Sequence, residues 1–202
     1  MITSMCNSYE HTIVITNRHL VQGDFLKQLE KVTKLHPHAL ILREKDLTDD
    51  AYESLAKKVF DLCKREDITF FLHTKIEIAR KIGCQNIHLS IPVLKGLSET
   101  EKKALTEDFC EISISCHSME DVEIAMAGGA TQIILGTIFE TECKKGVLGK
   151  GVEFVREICQ KCPLPVYAIG GMNLQRLHLV IDAGAAGCCM MSGFMQTTKP
   201  LQ

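Results

Sequence analysis

The chain has 202 residues, 46% hydrophobic and 24% charged, a balance typical of a soluble globular protein with a large core. The net charge of -2 offers no basic excess for nucleic acid, and no apolar run is long enough to span a membrane. Ten cysteines without a secretion signal favour free thiols in a reducing compartment. We therefore expect a cytoplasmic protein with one domain over 1–202 and no nucleic-acid or membrane partner.

Short apolar segments recur along the chain and predict buried strands. Most are continuously apolar, as strands of a parallel sheet are, because both of their faces are buried. In chain order the predicted strands cover 12–16, 39–43, 68–72, 86–90, 111–115, 132–136, 166–170 and 187–191.

Helical patterns separate most of these strands. Apolar residues recur at helical spacing through 24–35, and candidate N-caps open later helices at Thr48, Ser98, Ser118 and Asn173. Strands that alternate with helices predict a (β/α)₈ TIM barrel with a core over about 12–194. The alternative is an open doubly wound sheet, which the absence of GxGxxG after the first strand weakens.

The end of the chain is short for a barrel. Only the segment 192–202 follows the last predicted strand, which is too little for a full closing helix. We therefore expect a truncated last helix, a partner subunit that covers the gap, and a homodimer.

A barrel of this kind places its site at the C-terminal ends of the strands. The glycine pair after strand 7 and the small residues after strand 8 suit a phosphate, and basic residues after strands 2 and 6 suit a second anion, although an ordinary barrel rim also carries charges. The predicted binding residues are Arg43, Lys45, Ser115, Thr141, Lys144, Gly170, Gly171, Ser192 and Gly193.

Histidines are the candidates for proton transfer. His73 and His117 follow strand ends, so either could be a general acid or base. His88 lies inside a predicted strand, where a histidine is more often a hydrogen-bonded core residue.

Five segments follow predicted strands and read LREK, SCHS, GTIFETECKKG, AIGGM and MSG. Together they resemble the thiamine phosphate synthase/TenI superfamily, and the resemblance runs from about Ile13 to Phe194. It implies a (β/α)₈ barrel that acts in thiamin biosynthesis. The superfamily contains thiamine phosphate synthases, which use magnesium to join a pyrimidine pyrophosphate to thiazole phosphate, and TenI-like thiazole tautomerases, which need no metal.

The synthase pattern is eroded in this chain. Ile41 stands where the family has a glutamine, and Thr74 and Val93 stand where the synthases have two magnesium-binding aspartates. Magnesium prefers oxygen ligands, and threonine with valine does not replace two carboxylates.

The TenI pattern is closer but also incomplete. Glu140 matches the TenI form, where synthases tend to carry a proline. TenI tautomerases have a catalytic histidine at the position of Thr137, however, and threonine is a poor general base. The resemblance thus leaves His117, His73 and Thr137 as the catalytic candidates.

Three functions follow from this comparison. The first is a TenI-like thiazole tautomerase that binds thiazole phosphate or thiamin phosphate without a metal or cofactor. The second is a thiamine phosphate synthase, for which magnesium would be needed. The third is a non-catalytic protein that binds a thiamin precursor.

Overall fold

The computed structural model describes residues 8–141, 146 and 148–196. Its strands are all parallel and close into a barrel in chain order, with β1 paired to both β2 and β8. The predicted (β/α)₈ architecture is therefore confirmed. The strands are β1 (Thr12–Ile15), β2 (Ala39–Leu42), β3 (Thr69–His73), β4 (Asn86–Ser90), β5 (Glu111–Cys116), β6 (Gln132–Gly136), β7 (Val166–Ile169) and β8 (Gly187–Met190).

Helices connect the strands around the outside of the barrel. Two helices lie between β4 and β5. The α-helices are α1 (Phe25–Thr33), α2 (Asp49–Arg65), α3 (Ile76–Ile82), α4 (Ile91–Gly96), α5 (Glu99–Asp108), α6 (Met119–Ala127), α7 (Gly151–Lys161), α8 (Leu174–Ile181) and α9 (Ser192–Met195).

The predicted N-caps all open helices, because a short polar side chain satisfies a free backbone N–H in the first turn. Thr48, Ser118 and Asn173 each accept a hydrogen bond from the backbone of α2, α6 and α8, respectively. Ser98 and Glu101 form a reciprocal capping box at the start of α5.

Side chains alternate between the two faces of each strand, so the barrel has two apolar layers. One layer fills the barrel interior and the other packs the outer faces of the strands against the helices. The interior layer consists of Ile13, Ile15, Ala39, Ile41, Phe71, Ile134, Tyr167 and Cys189.

The last helix in the described part of the chain is short, as predicted, since α9 has 4 residues. The predicted end of β7 is one residue too far, because Gly170 has a φ of +102° and leaves the extended conformation. No helix in the described part of the chain is long and apolar enough to span a membrane. The single domain over 1–202 and the homodimer remain predictions.

Candidate active site

The predicted site residues lie at one end of the barrel. Because all the strands are parallel, their C-terminal ends meet at the same rim. Lys144 lies outside the described residues. The other predicted residues at this rim are Arg43, Lys45, His73, Ser115, His117, Thr137, Thr141, Gly170, Gly171, Ser192 and Gly193.

A buried tyrosine joins the ends of β2 and β3. The Tyr52 hydroxyl, on α2, donates to the carbonyl of Leu42 at 2.6 Å and accepts from the backbone N–H of His73 at 3.2 Å. Tyr52 is 1% exposed, so neither backbone group can form a hydrogen bond with water in its place. The tyrosine thereby places Arg43, which follows Leu42, beside His73.

Tyr52→Phe should therefore lower the free energy of unfolding by about 1–3 kcal/mol, because it leaves a buried donor and acceptor without their partner. Urea denaturation of both proteins measures the difference. Tyr167→Phe is the matched control, since its hydroxyl has no hydrogen-bond partner among the described residues while its ring stacks on His38. Equal losses in the two variants would contradict the role given to Tyr52.

A second network, which the sequence did not reveal, holds the segment after β2. Glu44 is 2% exposed and accepts hydrogen bonds from the Thr16 hydroxyl at 2.7 Å and from the Arg18 backbone at 3.1 Å. The Thr16 hydroxyl oxygen also accepts from the Arg43 backbone N–H at 2.9 Å. Arg18 pairs with both Glu44 and Asp46, and the hydrogen bond to Asp46 is the main reason that its pKa is raised. Thr16, which follows β1, thus holds the backbone of Arg43 in place.

His73 is a neutral imidazole at neutral pH. Burial, followed by the charges of Arg43 and Lys45, lowers its pKa to about 4. Desolvation and nearby cations both disfavour the imidazolium form. Arg43 and Lys45 follow β2, and the pairing of Leu42 with Leu72 brings the end of β2 beside His73.

His88 lies beneath His73 in the barrel interior, with the two ring centroids 5.5 Å apart. Its Nδ1 is 2.9 Å from the Ser113 hydroxyl and its Nε2 is 2.8 Å from the Ser115 hydroxyl. Burial, and then His73 and Arg43, lower its pKa to about 3. The prediction of a hydrogen-bonded core histidine is confirmed, and its partner Ser115 is one of the predicted site residues.

The two neutral histidines make stability depend on pH. The unfolded chain takes up protons on histidine below about pH 6.5, whereas the folded chain does so only near pH 4 at His73 and pH 3 at His88. The unfolded state therefore binds more protons in this window. The free energy of unfolding should fall by up to about 1.4 kcal/mol per pH unit for each histidine as the pH drops from 6 to 5.

Chemical denaturation at pH 7, 6 and 5 measures this slope. His88→Gln should reduce it, because one of the two histidines is gone. His178→Gln is the control, since that side chain is exposed on α8 and contributes no buried imidazole. An unchanged slope in the His88 variant would contradict the neutral buried state.

His117 is anchored to the neighbouring strand. Its Nδ1 is 2.6 Å from the carbonyl of Gly136, at the end of β6. A carbonyl only accepts, so Nδ1 carries a proton and donates it to this carbonyl. The residue is exposed and its carbonyl accepts from Lys150. His117 therefore lies next to Thr137 in space and remains a second candidate for proton transfer.

The glycine pair after β7 packs tightly against the segment after β6. A Cβ at Gly170 would lie 2.5 Å from Thr137 Cγ2, and a Cβ at Gly171 would lie 2.5 Å from the carbonyl oxygen of Glu140. Thr137 is 5% exposed, so its side chain is enclosed by this contact. The glycines are needed for close packing of two site segments, and their predicted contact with phosphate remains a prediction.

Arg176 is a further residue that sequence reasoning missed. Its guanidinium, on α8, donates to the carbonyl of Gly171 at 2.5 Å and lies 4.6 Å from the centroid of the Phe139 ring. One arginine thus holds the glycine pair and the segment after β6 together. In the sequence, Arg176 is an ordinary charged residue within a helical pattern, and nothing there indicates this contact.

The residues present do not fit the magnesium ion that synthases use. Thr74 and Val93 stand at the positions of the two aspartates in the resemblance, and valine has no side-chain ligand at all. Among the residues that the structure describes, no group of His, Cys, Asp and Glu could hold a metal ion. We therefore derive no step that involves magnesium.

Comparisons with known proteins identify the family of this chain and agree with its fold. The model of the thiamine monophosphate synthase family matches residues 12–194. A protein of Aquifex aeolicus named putative thiamine-phosphate synthase 2 is 30% identical over 182 residues, which are 90% of this chain and 96% of that protein. A thiamine-phosphate synthase of Coprothermobacter proteolyticus is 31% identical over 180 residues, which are 89% of this chain and 84% of the relative.

A solved structure shows the same fold. Thiamine phosphate pyrophosphorylase from Pyrococcus furiosus superposes with a TM-score of 0.81 at 22% identity, over 95% of this chain and 90% of that chain. The family match covers most of the chain, so this (β/α)₈ barrel belongs to the thiamine monophosphate synthase family of thiamine biosynthesis.

Proposed function

We propose that this protein binds a thiazole phosphate at the C-terminal rim and catalyses a metal-independent proton shift, the reaction of a TenI-like thiazole tautomerase. The observation that carries this proposal is the neutral, half-buried His73 beside the cations Arg43 and Lys45. A proton shift on an anionic substrate needs a neutral base and a positive counter-charge, and this corner of the rim supplies both.

The reaction needs no outside reagent. One C–H bond of the substrate breaks, its proton passes to His73 Nε2, and the electron pair moves into the conjugated system. A new C–H bond then forms at another carbon as the protonated His73 gives up a proton, so that His73 ends neutral again. The composition of the molecule is unchanged, and no oxidant or metal takes part.

Substrate binding should strengthen His73 as a base. In the free protein, Arg43 and Lys45 contribute to the low pKa of His73. An anionic group bound between these cations offsets their charge and so raises the pKa of His73 in the complex. A general base is most effective when its pKa lies closer to the working pH.

Proton NMR in deuterated buffer tests the proposal. The purified protein, treated with EDTA, is mixed with the unaromatised thiazole phosphate carboxylate under single-turnover conditions. Faster aromatisation with deuterium incorporation supports the tautomerase. A rate equal to background while the ligand is bound would contradict it and favour a binding protein without turnover.

The second candidate is a thiamine-phosphate synthase, a transferase that joins a pyrimidine pyrophosphate to thiazole phosphate. The names of the relatives favour it, since the Coprothermobacter protein is named a thiamine-phosphate synthase and the Aquifex protein a putative one. Formation of thiamin phosphate from both substrates, strictly dependent on added magnesium, would establish it. The absence of carboxylates at Thr74 and Val93 is the reason that we place it second.

A further inference from the structure

Thr74 has an unusual backbone conformation directly after His73. Its φ is +63°, in the left-handed region, and it is a β-branched residue, for which that region is a genuine outlier. Other non-glycine residues with positive φ include Asp67, a type that tolerates this conformation better. Strained residues persist where the surrounding structure holds them, and they concentrate at functional sites.

Two neighbours hold Thr74 in place. Its backbone N–H donates to the carbonyl of His88 at 2.9 Å, which extends the pairing of β3 with β4. Its carbonyl accepts from the N–H of Ile76 at 3.2 Å, at the start of α3. The side chain is thereby turned back toward His73.

The hydrogen bonds of the Thr74 hydroxyl determine which nitrogen of His73 carries the proton. The hydroxyl lies 2.7 Å from the His73 carbonyl, which only accepts, so its single proton is donated there. The same oxygen lies 3.2 Å from His73 Nδ1. This second contact is a hydrogen bond only if Nδ1–H donates, which leaves Nε2 with a free lone pair.

We infer that Thr74 is a positioning residue that holds His73 in the Nδ1–H tautomer, so that Nε2 is the atom that accepts the proton of the substrate. Within the described part of the chain, Nε2 of His73 has no hydrogen-bond partner. The inference rests on the role proposed for His73. It assigns a role to Thr74, which stands where the synthases have a metal-binding aspartate.

Thr74→Val isolates the hydroxyl. Valine has the shape and the β-branch of threonine, so the backbone strain is nearly the same and only the hydrogen bonds are lost. Thr74→Ser is the matched rescue, because serine keeps the hydroxyl. The tautomer is read from long-range proton–nitrogen NMR of histidine-labelled protein at pH 7, with the His73 signals identified by their loss in His73→Gln.

The wild type and Thr74→Ser should show His73 protonated at Nδ1, and Thr74→Val should shift it toward Nε2–H. The valine variant should lose at least about tenfold in kcat with little change in KM, because a base in the wrong tautomer cannot accept the proton. An Nε2–H tautomer in the wild type, or an unchanged tautomer in Thr74→Val, would overturn the inference.

The NMR result does not depend on turnover. If the tautomers behave as expected but the wild type shows no aromatisation, the proposed function fails, and only the role of Thr74 in setting the His73 tautomer stands. If the wild type turns over but Thr74→Val keeps both its tautomer and its kcat, the assignment of Thr74 fails and the proposed function stands.

Discussion

We expect His73→Gln to lower kcat for the proton shift roughly 10²- to 10⁴-fold, the usual contribution of a general acid or base, while KM changes little. Glutamine keeps a polar side chain of similar length but does not accept a proton near neutral pH. The loss should fall on kcat because Arg43 and Lys45, which we propose as the anion-binding residues, are unchanged. Single-turnover NMR with EDTA present measures the rate.

His117→Gln is the matched control for this experiment. His117 is exposed and its Nδ1 is committed to the Gly136 carbonyl, so its loss should disturb the neighbouring strand end more than the proton transfer. We expect less than about a tenfold fall in kcat, well below the contribution of a general base. If His117→Gln loses the larger factor and His73→Gln the smaller one, His117 is the base and the assignment of His73 is wrong.

The second large effect is expected for Gly171→Ala. The added Cβ would lie 2.5 Å from the carbonyl oxygen of Glu140, and the φ of +61° is unfavourable for alanine. A backbone oxygen cannot move aside as the end of a flexible side chain can. We expect the free energy of unfolding to fall by about 2 kcal/mol or more.

Binding of thiazole phosphate should weaken in the same variant, because the segment after β6 is displaced from the glycine pair. Calorimetry measures binding, and urea denaturation measures stability. Gly193→Ala is the control, since a Cβ there meets no atom within 4 Å and the residue is also at the rim. Equal stability of the two variants would show that the contact between Gly171 and Glu140 is not needed.

Much of the barrel was predictable because local patterns and tertiary contacts agree. The strands are short, apolar on both faces and separated by capped helices, and a parallel sheet with outer helices satisfies all of these features together. Boundaries were less certain. Gly170 continues the apolar run in sequence, but its positive φ ends β7 at Ile169.

The candidate site could be predicted in position, and its surrounding contacts only in part. The strand-end rule selected Arg43, Lys45 and His73, since the carboxyl ends of parallel strands share one rim. The strand-end rule did not select Thr16, a polar residue that follows β1 and belongs to no recognised motif. Arg176 was missed because its contact with Gly171 depends on how α8 packs against β7.

The amino-acid sequence by itself determined the order of strands and helices, the end of the barrel that carries the candidate site and the family resemblance, because these depend on periodicity and on motifs along the chain. Only the tertiary structure decided that His73 and His88 are buried enough to be neutral, how Tyr52 joins two strand ends and how close the Thr74 hydroxyl lies to His73. Those properties depend on burial and on contacts between residues distant in the chain, and hydrophobic patterning alone specifies neither.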